Sequence, residues 1–108
     1  MDIEQLQQRL RHFAAQRQWQ PYQTPKNLAM AMVVEAAELL EIFQWKTAEE
    51  SAALDEDTRQ HLGEEVADVL LYLVQIADQC GVDVDAAVER KLLLNARKYP
   101  VAEGAGSA

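Results

Sequence analysis

Val69-Leu70-Leu71-Tyr72-Leu73-Val74 is the stretch on which the fold turns. Six consecutive apolar residues suit either a buried strand or a buried helix, and periodicity inside so short a run does not separate the two. Length does. The apolar pattern continues to Ile76 and Ala77, too long for a typical strand, and no period-two alternation accompanies it. The run therefore predicts the middle of a helix that is apolar on every side, and such a helix must be covered on every side. Three other helices of a small monomer are barely enough to do so. The sequence accordingly predicts a homo-oligomer, a dimer or a tetramer, built on this helix.

Outward from the run, glycine occurs only at 63, 81, 104 and 106 and proline only at 21, 25 and 100, so turns have few places to be and long helices are expected between them. Gly81 supplies the left-handed residue that commonly closes a helix, which sets a long helix over 56–80 behind the polar patch Asp55 to Asp57. Asp83 caps a further helix over 84–98, ahead of Pro100. On the N-terminal side, Thr47 and Glu50 have capping-box spacing and predict a short helix over 48–54. Thr24 and Pro25 read as N-cap and first helical residue of a helix over 25–45, since proline lacks only a donor that is unused there. Ile3, Leu6, Leu10, Phe13 and Ala14 recur at three- and four-residue spacing behind the cap Asp2, which gives a helix over 3–18. Pro21 and Pro25 bracket a non-helical segment after Trp19. The expected fold is all-α, one domain over 1–100, with a flexible tail over 101–108.

Composition narrows the function classes. The 108 residues carry 18 acidic and 10 basic side chains for a formal net charge of -8. One hydrophobic core is the natural limit at this length, which disfavours a two-domain enzyme. The acidic balance repels phosphate backbones and no basic stripe offsets it, so nucleic-acid polymers are not expected partners. Cys80 is the single cysteine, which fits a reducing compartment. Residues 1–20 lack the basic start and apolar run of a signal peptide, and no stretch approaches about 18 unbroken apolar residues. A cytoplasmic protein that makes no membrane contact is the expectation.

Carboxylates stand where a core should be. Leu28, Met32, Leu39 and Ile42 form a seam on the helix over 25–45, and the position completing it between Met32 and Leu39 is Glu35, with Glu38 one turn along the same side. A buried ionised carboxylate without a partner costs several kcal/mol or protonates instead. Glu65 and Asp68 repeat the three-residue spacing on the helix over 56–80. Antiparallel packing of these helices brings four carboxylates to one level, where they repel one another unless cations intervene. An all-oxygen set suits Mg2+, or Mn2+ in its place. The helical competitor, a di-iron carboxylate bundle, requires Glu-x-x-His, and neither pair supplies it. His12 and His61 have no such spacing and read as surface or cap residues. Glu-x-x-Glu is also common on solvated helix faces, and spacing alone leaves both readings open.

Three separated motifs bear on the choice: Glu35-Ala36-Ala37-Glu38-Leu39-Leu40-Glu41-Ile42-Phe43-Gln44-Trp45-Lys46, then Glu64-Glu65-Val66-Ala67-Asp68-Val69-Leu70-Leu71-Tyr72-Leu73, then Lys91 and Asn95-Ala96-Arg97-Lys98-Tyr99-Pro100. In this order they resemble the MazG-like all-α nucleoside triphosphate pyrophosphohydrolases, within them the dCTP pyrophosphatase branch and its small bacterial relatives. The resemblance covers roughly residues 3 to 100. It implies a four-helix MazG-type bundle, oligomeric, that hydrolyses a deoxynucleoside triphosphate to the monophosphate and pyrophosphate with Mg2+, in nucleotide-pool sanitation. It also implies Glu35, Glu38, Glu65 and Asp68 as metal ligands, and Glu38, Glu41 or Glu64 as the group that takes the proton of the attacking water. Lys91, Asn95, Arg97 and Lys98 would meet phosphates and sugar, Tyr72 would lie beside the metal site and the deoxyribose, and Trp19 and Trp45 would line the base pocket. Each has a plainer reading: Arg97 and Lys98 complement a helix C-terminus, Tyr72 packs in a core, and both tryptophans seal a bundle end. Relatives often carry histidine two residues before the proline that opens the second helix, where this chain has Gln23. That departure concerns base preference, with dCTP or a modified dCTP the leading substrate. The rivals are a dUTPase-like or broad NTP pyrophosphohydrolase on the same scaffold, and a non-enzymatic helical interaction module. Setting the four ligand carboxylates aside halves the net charge.

Overall fold

The computed structural model describes residues 1–102. Five helices and no strand occur among them: α1 (Ile3–Gln16), α2 (Pro25–Phe43), α3 (Ala48–Ser51), α4 (Glu56–Gln79) and α5 (Val84–Lys98). The all-α architecture read from the sequence is found, and the apolar run lies within α4. The expected tail, 101–108, falls outside the described residues from position 103 onward.

Every helix start is fixed by a side chain that accepts an otherwise unused first-turn amide. Asp2 accepts from Gln5, Thr24 from Asn27, Asp55 from Thr58 and Asp83 from Ala86. At α3 both halves of the capping box form between Thr47 and Glu50. The ends fall short of expectation at four helices. α1 stops at Gln16 because Gln18 turns left-handed, at φ 56°, and the amides of Gln18 and Trp19 fold back onto the carbonyls of Ala15 and Ala14. α2 stops at Phe43, so Trp45 lies in a turn. α3 stops at Ser51 because Asp55 must be extended, at φ -70° and ψ 169°, to cap α4. α4 ends one residue early, with Cys80 as its cap and Gly81 at φ 68°.

α2 and α4 form the main packed pair, with α1 leaning on α4. The pair is antiparallel: Glu35 lies level with Asp68 and Tyr72, and Ile42 level with His61. Gln7 donates to the Val74 carbonyl at 2.8 Å, Arg11 pairs with Asp78 at 3.3 Å, and Gln79 donates to the Gln23 carbonyl, which together tie α1 and the 17–24 turn to α4. The buried apolar residues are few: Ala14, Leu28, Val74 and Ala77. α5 makes no extended contact with any other helix. The radius of gyration is 17.6 Å, against about 13 Å for a compact domain of this length. The chain is therefore elongated, and it leaves exposed Met30, Val33, Val34 and Leu40 on α2, Val66 and Leu73 on α4, and Val88, Leu92, Leu93 and Leu94 on α5.

Candidate metal centre and adjoining cavity

The packing of α2 against α4 gathers the carboxylates. Glu35, Glu38 and Glu65 each bring an oxygen to within 4.8 Å of the others. Glu65 is buried, and its Oε2, like Oε2 of Glu35, is buried without a hydrogen-bond partner. Two orphaned carboxylate oxygens in one cluster are costly. The Glu35 carboxyl is pushed up to about 7, first by the hydrogen bond to Glu38 that its protonated form can make, then by burial, by a like bond to Glu65, and by the charges of Glu38 and Asp68. An all-oxygen set with unmet acceptors and mutual repulsion fits a hard divalent cation, which takes oxygen ligands and cancels that repulsion.

Asp68 stands one turn along α4 from Glu65, outside the tight trio. It lines, with Glu35, a cavity of about 160 Å3 whose other walls include Phe13, Trp19, Gln23, Tyr72 and Gln75. Trp19 is held there by its sequence neighbourhood. Its ring meets Phe13 edge-on at 5.5 Å, and the Arg17 guanidinium lies 3.4 Å over the Phe13 ring. A flat aromatic at the mouth of a carboxylate cluster offers a stacking surface for a planar ligand.

With this geometry in view, a profile of the MazG-like family matches residues 30–108. The chain belongs to the MazG-like family. It is also similar to a crystallographically solved pyrophosphatase from Archaeoglobus fulgidus, at 44% identity and a TM-score of 0.84, covering 91% of this chain and 92% of that one. Curated relatives include dCTP pyrophosphatase 1 of Bos taurus, 46% identical over 98 residues, and that of Homo sapiens, 46% identical over 90 residues. The matches take in 89% and 82% of this chain but 58% and 53% of those relatives, so the chain spans little more than half of their length.

Among the sequence-derived candidates, the structure brings Glu35, Glu38 and Glu65 into one cluster and sets Asp68, Tyr72 and Trp19 around the neighbouring cavity. Glu41 joins Glu38, Ile42, His61 and Glu65 around a second, outer hollow. Other candidates stay apart. Glu64 is exposed and lines neither hollow. Trp45 is 88% exposed, carried off by the early end of α2. Lys91, Asn95, Arg97 and Lys98 ride on α5, which makes no extended contact with the α2–α4 pair, and none lines either hollow. Lys98 instead lies 5.3 Å from the Tyr99 ring. His61 is the residue that sequence reasoning set aside, as surface or cap, and the structure puts beside the cluster, with Nε2 3.3 Å from Oε1 of Glu65. The available signal was its place four residues before Glu65, hence on the same helix face.

Proposed function

We propose that this chain, with residues 1–100 as its single domain, is a Mg2+-dependent nucleotide pyrophosphohydrolase of the cytoplasm. It splits a deoxynucleoside triphosphate, with dCTP or a modified dCTP first, into the monophosphate and pyrophosphate, and so cleans the nucleotide pool. The observation that carries this reading is the convergence of Glu35, Glu38 and Glu65, with two orphaned buried oxygens, next to a cavity walled by Trp19 and Tyr72. Kinship with the dCTP pyrophosphatases supports the substrate class.

Glu35, Glu38, Glu65 and Asp68 hold the metal in this account. A bound divalent ion neutralises phosphate charge and makes water a stronger acid. Glu38 or Glu41, both at the outer hollow, accepts the proton of the attacking water. Trp19 stacks on the base and Tyr72 lies along the sugar. The cationic and polar side chains that an anionic triphosphate needs are Lys91, Asn95, Arg97 and Lys98, and we assign them, with Trp45, to the site of a second copy. Exposed Met30, Val33, Val34 and Leu40 on α2, Val66 and Leu73 on α4, and Val88, Leu92 and Leu93 on α5 favour such a homo-oligomer, since apolar area of this extent rarely stays in water.

Gln23 in the cavity wall favours a second reading, a broader base selection on the same chemistry. The test is a side-by-side panel of the four dNTPs, dUTP and CTP with Mg2+. dCTP or its 5-substituted forms turning over fastest supports the first reading, and even rates across the panel support the second. Turnover of none, together with no rise in melting temperature on adding Mg2+, overturns both in favour of an interaction module.

A further inference from the structure

Glu65 poses a problem that the carboxylate cluster alone does not solve. Its side chain is 10% exposed, its Oε2 is buried without a partner, and no backbone amide reaches it, because it sits in mid-helix where amides are committed to the helix ladder. Apart from the clustered carboxyls themselves, the group within reach is His61, whose Nε2 lies 3.3 Å from Oε1. The two stack one turn apart on α4. His61 also faces the hollow lined by Glu38, Glu41 and Ile42 of α2, so its ring is turned toward the cluster although more than half of it meets solvent.

We propose that His61 is a positioning residue of the metal centre: a small turn of the ring brings its Nε2–H onto Oε1 of Glu65, 3.3 Å away, which fixes the carboxylate so that the buried Oε2 is presented to the divalent ion. The proposal rests on the metal reading above. It does not depend on the charge of the ring, because the imidazolium and the Nε2–H tautomer both carry the required donor. A merely exposed ion pair contributes little. Here one partner, Glu65, is buried, so solvent does little to hold its carboxylate and the neighbouring ring can set its orientation. Outer partners that orient metal-bound carboxylates and imidazoles commonly govern metal affinity by about 10- to 100-fold.

The test is Mn2+ binding to the full chain, by calorimetry and by the electron paramagnetic resonance signal of free Mn2+, with no nucleotide present. Wild type, Glu65→Gln, His61→Leu and His61→Gln are compared after their metal-free melting temperatures have been matched. The expected result is that Glu65→Gln abolishes binding and His61→Leu weakens it about tenfold. His61→Gln, whose amide nitrogen takes the place of Nε2, stays close to wild type. Equal affinity in wild type and His61→Leu, with Glu65→Gln still inactive in binding, overturns the role of His61 and leaves the metal reading standing. Equal weakening in both His61 variants overturns the donor account. Absence of Mn2+ binding in wild type removes the metal reading and this proposal with it.

Discussion

Glu35 carries the electrostatic tension of the metal-free protein. Its carboxyl is raised from 4.5 to about 7, chiefly through the proton it shares with Glu38. Below both values the folded and unfolded chains hold the proton alike. Between them the folded chain keeps a proton that the unfolded chain has released, so stability falls as pH rises through that window. Calorimetry in chelator should therefore show a higher melting temperature at pH 5 than at pH 7.5. Glu35→Gln should flatten that slope, and Mg2+ at pH 7.5 should restore what was lost. A slope unchanged by Glu35→Gln contradicts this placement of the tension. Glu35 and Glu38 were legible in the sequence because a carboxylate interrupting an apolar seam is costly and so conspicuous. His61 was not, since histidine before a glutamate on a helix is ordinary, and only the packing of α2 against α4 brings the hollow of Glu38 and Glu41 to its side.

The helices were legible to within a few residues because their starts are written in side chains: Asp2, Thr24, Thr47, Asp55 and Asp83 each satisfy a first-turn amide. Ends were less so. Gly81 marks the close of α4, but the close of α1 falls to Gln18, a residue with no left-handed preference held at φ 56°. That turn sets Trp19 against Phe13 at the cavity mouth, and it costs about 1 kcal/mol that glycine avoids. Gln18→Gly should raise the urea midpoint by a corresponding amount without changing the slope of the transition. Phe13→Ala should instead loosen Trp19, raising KM for the nucleotide with a smaller effect on kcat. Loss of stability in Gln18→Gly, or an unchanged KM in Phe13→Ala, contradicts this account of the turn.

At the scale of the molecule, the apolar run Val69 to Val74 announced a helix needing cover on all sides, and a single chain leaves Leu73 exposed on it and α5 without extended contact to any other helix. The location of α5 relative to the site was not legible, because helix spacing fixes faces within a helix and says nothing of which copy each face meets. Leu92→Asp with Leu93→Asp should shift the sedimentation coefficient to that of a monomer and abolish turnover. Co-expressed Glu38→Ala and Lys91→Ala subunits, each inactive alone, should recover activity by completing sites across the interface, whereas recovery is absent if each site is confined to one chain. The central claim is cleavage between the α and β phosphates at the carboxylate cluster, and one product analysis tests it most directly. With dCTP and Mg2+, wild type should yield dCMP and pyrophosphate in equal amounts, and Glu38→Ala should lose about 100-fold or more in rate. Release of dCDP and orthophosphate, or undiminished activity in Glu38→Ala, contradicts the account.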